Sequence, residues 1–396
     1  MVTYKAALTV GLSLVVFDAH AQSSVSLYGI VDTGIGYLSS QAPSTGATSG
    51  GHSVVKLVEG VWGGERFGLR GSEDLGGGTR AIFQLEEGFN VDTGAMSKSG
   101  LMFNRASWVG LADKTYGTVT LGRQYTPYYT MLAPYSPTNW LTGAFGAHPG
   151  DLDNLDTDYR VNNAVVYKSP TIAGFTAGAM YAMGGVAGAF NAGSSWSVAG
   201  QYIAGPAGIA VGFERFNNAT SGGGAWSASS TAYSGTGVQG ESSITNGYQN
   251  ASAQQRLAVA AGYQFNQAWD VSATYSNVQY IGGSASGFST AIFNTGGAVL
   301  HYRPALNWDL AAGYSYTRAT RANGITDTAS YHQINLTELY NLSKRTKLYV
   351  LEAYQRANGD TLDNGKIVSA TPSIGEQSAA SSRNQFGMTV GINHQF

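Results

Sequence analysis

Residues 22–396 carry a repeated two-residue alternation of apolar with small or polar side chains, in segments of about ten residues, and no other feature constrains the fold as strongly. Trp269, Val271, Ala273 and Tyr275 alternate with Asp270, Ser272, Thr274 and Ser276. Trp308, Leu310, Ala312, Tyr314 and Tyr316 do the same against Asp309, Ala311, Gly313 and Ser315. A period of two places each set on one face of a strand, so one face is greasy and the other wet. A soluble sandwich would press two greasy faces together. A membrane barrel turns them to lipid and gathers the wet ones around a lumen.

Loop lengths separate these two solutions. Strands read at 23–38, 64–71, 78–89, 102–113, 116–123, 160–168, 173–183, 194–203, 208–217, 253–264, 269–279, 290–302, 308–318, 331–342, 346–355 and 384–396 leave connections that alternate between short and long. Short ones, such as Asp113-Lys114-Thr115, Phe265-Asn266-Gln267 and Ser343-Lys344-Arg345, are built from turn formers. Long ones, at 39–63, 90–101, 124–159, 184–193, 218–252, 281–289, 319–330 and 356–383, are mostly rich in Ser, Thr, Gly and Asn. The pattern predicts an all-β, 16-stranded antiparallel transmembrane β-barrel with short periplasmic turns and long extracellular loops. Hydrocarbon offers no partner to a free N–H or C=O, so the last strand must pair with the first. The terminal segment alternates Phe386, Met388, Val390, Ile392 and Phe396 with polar or small residues, as a closing strand would. Glu338 and Glu352 share parity with apolar neighbours, so a bulge or a protein-covered surface is expected there.

Composition narrows the function. With 12% charged residues and a net charge of -2, the chain has no basic footprint for nucleic acid. After the first twenty residues no apolar run approaches the roughly 18 residues a membrane helix needs. Lys5, the apolar stretch Ala6 to Phe17 and Ala19-His20-Ala21 read as an export signal occupying 1–21, which leaves 22–396 as the barrel domain, with mature protein starting near Gln22. No cysteine is present, so stability must come from closed hydrogen bonding and packing. No nucleophile elbow, phosphate-binding glycine loop or paired metal-binding histidines occur, so neither a catalytic residue nor a cofactor is expected. Two other classes remain: a barrel hydrolase seeded by His301 or His332, and a surface adhesin or receptor using the long loops.

Several motifs in order carry a resemblance: Ser26-Leu27-Tyr28-Gly29 with Asp32, Arg66-Phe67-Gly68-Leu69-Arg70-Gly71 before Glu73-Asp74-Leu75-Gly76, Asn104-Arg105 before Trp108-Val109-Gly110-Leu111, Leu121-Gly122-Arg123-Gln124, Leu342-Ser343-Lys344-Arg345-Thr346 and the terminal Phe396. The mature chain resembles the general porins of Gram-negative bacteria, particularly the β-proteobacterial branch. That resemblance implies an outer-membrane homotrimer for passive diffusion of small hydrophilic solutes and ions, in contact with outer-membrane lipid and lipopolysaccharide. It also implies an inward-folded third loop, a facing ladder at Arg66, Arg105 and Arg160, and recognition of the Phe386 to Phe396 strand by the assembly machinery.

Strand parity puts Arg66 and Arg70 opposite Phe67 and Leu69, Arg160 opposite Val161, and Arg80 opposite Ala81 and Phe83. Arg123 shares parity with Val119 and Leu121, so its direction depends on a bulge, and a subunit contact is the other role open to it. From Gln124 to Gly150 the third loop has no Asp, Glu, Lys or Arg and carries Tyr125, Tyr128, Tyr129, Tyr135 and Trp140. Its acids are Asp151, Asp153, Asp156 and Asp158; Leu155 and a missing glycine break the spacing of a calcium loop. If those acids lie outside the constriction, anions are favoured; if they oppose the arginines, the preference vanishes or leans to cations.

Overall fold

The computed structural model describes residues 23–44, 47–156, 160–220, 228, 230–233, 244–375 and 377–396. The sheet strands are β1 (Ser24–Gln41), β2 (His52–Glu59), β3 (Arg66–Gly76), β4 (Thr79–Glu87), β5 (Ala106–Asp113), β6 (Gly117–Tyr125), β7 (Arg160–Lys168), β8 (Phe175–Ala182) and β9 (Ser195–Ala204). They continue with β10 (Ala207–Asn217), β11 (Ala253–Gln264), β12 (Trp269–Ile281), β13 (Ala291–Ala305), β14 (Trp308–Ala319), β15 (Ser330–Asn341) and β16 (Thr346–Asn358). A loop hairpin, β17 (Asp360–Asp363) with β18 (Lys366–Ser369), precedes the last strand, β19 (Asn384–Gln395). Successive staves pair antiparallel, β16 pairs with β19 across the loop hairpin, and β1 pairs with β19 from Ile30↔Gln395 to Leu38↔Gly387. The result is a closed barrel of sixteen staves in which no edge is left to hydrocarbon.

The second stave comes in two pieces. β1 pairs with β2 from Thr33↔Glu59 to Gln41↔His52, and below that with β3 from Ser24↔Ser72 to Ile30↔Arg66. Residues 60–65 leave the sheet between the two pieces. The expected loop at 39–63 therefore contains a strand, His52–Glu59, because Val55 and Leu57 continue the outward apolar row to His52. Gly60, at φ +64°, opens the excursion, and its N–H reaches both the Asp32 carbonyl at 3.1 Å and Glu65 Oε1 at 2.5 Å.

Short side chains set the periplasmic turns. Asp113 Oδ1 accepts the amides of Thr115 and Tyr116, Asn266 Oδ1 those of Ala268 and Trp269, and Ser343 Oγ those of Arg345 and Thr346. Aromatic pairs stand beside these turns: Trp269 on Tyr302 at 4.1 Å, Trp308 on Tyr340 at 5.0 Å and Tyr263 on Phe265 at 5.1 Å. Rings that are half apolar and half polar suit the membrane boundary. Glu338 and Glu352 point outward, and β14, β15 and β16 hold continuous register around them, so no bulge accommodates them.

The third loop folds into the lumen. Its first turns form the helix α1 (Pro127–Leu132), capped by Thr126, whose Oγ1 accepts the Tyr129 amide. Tyr128, Met131, Leu132 and Tyr135 pack on Ala199, Ala210, Ala258 and Ala260 of the inner wall. The wall yields space through glycines: a Cβ at Gly212 would meet Leu132 at 2.8 Å, one at Gly178 Met131 at 2.9 Å, one at Gly262 Trp140 at 2.9 Å and one at Gly387 Phe145 at 3.1 Å. Farther out, Tyr248, Ile325 and Leu362 from other long loops cover Phe216, Tyr280, Phe293 and Tyr331.

Candidate functional site: a basic wall facing the third loop

Three strand ends deliver three guanidiniums to one place. Arg66 opens β3, Arg105 precedes β5 and Arg160 opens β7. Arg66 Nε donates to the Gly64 carbonyl at 2.8 Å, and a Cβ at Gly64 would meet Arg105 Nη1 at 3.3 Å and Arg66 Nη2 at 3.8 Å. Arg105 and Arg160 both donate to the Tyr125 hydroxyl, at 3.2 Å and 2.5 Å. Arg105 Nε also pairs with Glu86 Oε1 at 2.8 Å, and the other Glu86 oxygen accepts from Tyr28 at 2.7 Å, which in turn accepts from Gln84 at 2.6 Å. A cavity of about 260 Å³ beside the cluster is lined by Glu59, Glu65, Phe89, Lys98, Arg105 and Arg160. Burial, reinforced by the charge of Asp32, pushes the Glu65 carboxyl up to about 8, so it is neutral at pH 7.

The other expected residues fall elsewhere. Arg70 lies over the Tyr28 ring, 5.1 Å from its centroid, and Arg80 is exposed opposite Asp74, near the β3–β4 turn. A register shift between Gly122 and Gln124 turns Arg123 into the wall, where it donates to the Asn104 carbonyl at 2.7 Å, Asn162 Oδ1 at 2.7 Å and the Tyr233 carbonyl at 3.2 Å. Gly122, at φ +134°, is needed there, since a Cβ would run into the Ser107 carbonyl.

Among the aromatics, Tyr129 stacks on Tyr125 at 4.6 Å. Tyr128, Tyr135 and Trp140 are packed against the wall: Tyr128 donates to the Asp153 carbonyl, Tyr135 accepts from Gln201, and Trp140 donates to the Pro134 carbonyl. The acids separate too. Asp151 accepts the Asp156 amide at 3.3 Å, Asp156 is buried, and Asp158 lies outside the described residues. Asp153 is bound to His148 at 2.7 Å and to Ser276 at 2.7 Å, while His148 Nε2 sits 3.1 Å from Thr274. Burial opposes a charge on either partner of this pair. The Asp153 charge nonetheless raises the His148 pKa above its ordinary value, and the His148 charge holds Asp153 below its own.

The residues that hold the loop were not singled out from the sequence. Glu214 on β10 accepts from Thr126 at 2.8 Å and Asn154 at 3.1 Å, so it binds both ends of the loop, and Arg256 on β11 donates to the Leu152 carbonyl at 2.8 Å. Glu214 and Arg256 face each other in register, 3.5 Å apart and fully buried. Gln333 on β15 donates to the carbonyls of Phe145 and Ala147. A charged residue among small inward residues, as Glu214 is among Ala210 and Gly212, was the available signal.

A closed sixteen-stave barrel with a loop folded across its lumen toward a basic wall is the architecture of a diffusion channel, and comparison with known proteins agrees. The profile of the Gram-negative porins matches residues 7–361. The chain belongs to this family. Outer membrane porin protein 32 of Delftia acidovorans is 31% identical over 399 residues, covering 96% of this chain and 95% of that one. An outer membrane porin protein of Bordetella pertussis is 29% identical over 373 residues, covering 85% of this chain and 90% of that one. Among solved structures, an anion-selective porin from Comamonas acidovorans matches with a TM-score of 0.66 and 25% identity, covering 95% of this chain and all of its own. This is an outer-membrane channel protein, and the hydrolase alternative falls with the family assignment. His301 is bracketed by Asp270 at 2.9 Å and Asp309 at 3.1 Å, with Arg303 across both carboxylates, an ion cluster at the periplasmic end of the porin.

At the seam, the Phe396 amide and carbonyl both pair with Gly29 at 3.1 Å. A Cβ on Gly29 would fall inside the Phe396 ring, so the terminal aromatic requires glycine in the Tyr28-Gly29 motif. Phe386 packs near Tyr37, their centroids 6.3 Å apart.

Proposed function

We propose that this porin is a homotrimeric diffusion channel for small hydrophilic solutes, weakly preferring anions, with Arg66, Arg105 and Arg160 as the charged wall of its constriction. The carrying observation is the contiguity of these guanidiniums while Asp153 of the facing loop is engaged by His148 of the same loop and by Ser276 of the far wall. Glu86 offsets one of the three charges and Glu65 is protonated near neutral pH, so the wall stays positive. The Comamonas protein is described as anion-selective, which supports the same preference here. Reversal potential across bilayers under a salt gradient tests it: Arg105→Gln and Arg160→Gln should each lower the anion-to-cation permeability ratio by about twofold. Native values in both variants would remove the arginines from the constriction.

Glu338 and Glu352 support the trimer. Outward carboxylates are costly against hydrocarbon, and regular strands carry these two without a bulge, so another protein surface should cover them. Glu352→Trp should convert trimers to monomers on native electrophoresis, whereas Val259→Trp on the outer face of β11 should not. The same reading has residues 1–21, which lie outside the described residues, removed on export before Gln22, and has the Phe386 to Phe396 strand recognised during assembly into lipid and lipopolysaccharide. Amino-terminal sequencing of outer-membrane protein would show a start other than Gln22 if the export part is mistaken.

A further inference from the structure

We infer that Tyr125 is a specificity-determining positioning residue, whose hydroxyl oxygen fixes the Arg105 and Arg160 guanidiniums against each other. The inference rests on the reading of Arg105 and Arg160 as constriction residues.

Tyr125 ends β6, directly opposite Arg160 in the β6–β7 register, so the backbone places the phenol and one guanidinium side by side. Its oxygen takes Nη2 of Arg160 at 2.5 Å and Nη2 of Arg105 at 3.2 Å. A phenol oxygen has two acceptor positions, which two N–H donors fill. The Arg160 guanidinium carbon lies 4.6 Å from the centre of the same ring, so the ring face adds a cation–π contact. Tyr129 stacks on Tyr125 at 4.6 Å and 20° between planes, and Tyr129 belongs to α1, whose cap is tied to Glu214. The position of the basic wall is thereby referred to the loop that faces it.

The chemistry of the acceptor matters as much as its place. Arg105 has a carboxylate, Glu86, on its Nε edge and the phenol on its Nη2 edge. The carboxylate orients the guanidinium and offsets its charge. The phenol orients it from the other edge. A guanidinium is a rigid planar fork, so anchoring one N–H on each side fixes its plane. With an acid in place of Tyr125 the two arginines would be held equally well, but the field that favours anions would be lost.

The test is reversal potential in planar bilayers under a potassium chloride gradient, using trimeric full-length porin. Tyr125→Phe keeps the ring and removes the oxygen, and its anion-to-cation permeability ratio should fall by about twofold. Tyr125→Gln restores an uncharged acceptor without the ring and should stay closer to native than the Phe variant. Tyr167→Phe, which removes a hydroxyl bonded to the Tyr116 carbonyl on the outer surface, should leave the ratio unchanged. A native ratio in Tyr125→Phe, alongside lowered ratios in Arg105→Gln and Arg160→Gln, would overturn this inference alone. Native ratios in both arginine variants would instead remove the constriction reading beneath it. A Gln variant no better than Phe would overturn the role of the acceptor oxygen.

Discussion

The two sides of the barrel interior follow one alternating rule and use it for different ends. On β3 and β4 the inward Arg70 and Arg80 are exposed and Gln84 is half-buried, so that wall faces open water. On β12 the inward Asp270, Ser272, Thr274 and Ser276 are all 7% exposed or less, because the third loop and the outer loops lie over β8 to β15. Long charged side chains occupy the open wall. On the covered one, small hydroxyls, alanines and glycines leave room for the loop, and the buried Glu214, Arg256 and Gln333 among them bind it. An inward position in a barrel is therefore wet only if nothing folds over it, and inward side-chain size marks where something does.

The largest expected effect comes from breaking the clamp on the covered side. Glu214→Ala leaves Arg256 buried without its carboxylate and frees Thr126 and Asn154 at the two ends of the loop. Losing one partner of a buried pair costs roughly 3–5 kcal/mol. Thermal unfolding of the purified porin should shift to lower temperature, and single-channel conductance should rise as the loop leaves the lumen. An unchanged conductance would mean the loop is held by its apolar face alone. Next in size is Gly212→Val. The added carbons meet Leu132 and Tyr128 at 2.8 and 3.0 Å, and overpacking of this kind costs about 1–3 kcal/mol. Conductance noise should increase, and the reversal potential should move with it, because the displaced α1 also carries Tyr129, which stacks on Tyr125; a native reversal potential would show that the two sides are uncoupled.

This contrast also separates what the sequence revealed from what it hid. Strand number, inward and outward faces, and the sorting of turns from loops follow from local periodicity, and they survive in the structure apart from the split second stave. That split was hidden because Gly60, Gly63 and Gly64 look like loop, although the strand resumes on both sides of them. Glu214 and Arg256 were hidden for another reason: 42 residues apart in the chain, they become partners only through the β10–β11 register. His148 looked like a lone histidine until the loop folded back to set it beside Asp153, five residues on, and Thr274 of β12. Tyr128, Tyr135 and Trp140 were read with the constriction because they are aromatic and in the right loop, but shape complementarity to wall glycines, invisible in one dimension, turns them toward the wall.

The smallest effect is the one that distinguishes the two sides by pH. On the open side, Glu65 gains its charge as pH rises through about 8, beside the cavity that Arg105 and Arg160 line. Its pKa is raised above the ordinary 4.5, so any stability linked to its proton is complete below that value and is lost as pH rises through about 8. An added negative charge there should lower anion preference between pH 7 and 9, and Glu65→Gln should flatten that change. On the covered side, the raised pKa of His148 means that its ion pair contributes fully below 6.5 and fades as pH climbs past the raised value. The depressed pKa of Asp153 means that the pair contributes above 3.8 and fails as pH falls through the lower value. His148→Gln should therefore flatten the alkaline loss of thermal stability and leave the selectivity profile alone. If Glu65→Gln changes the stability profile and His148→Gln the selectivity, the division between an open conducting wall and a covered anchoring wall is wrong.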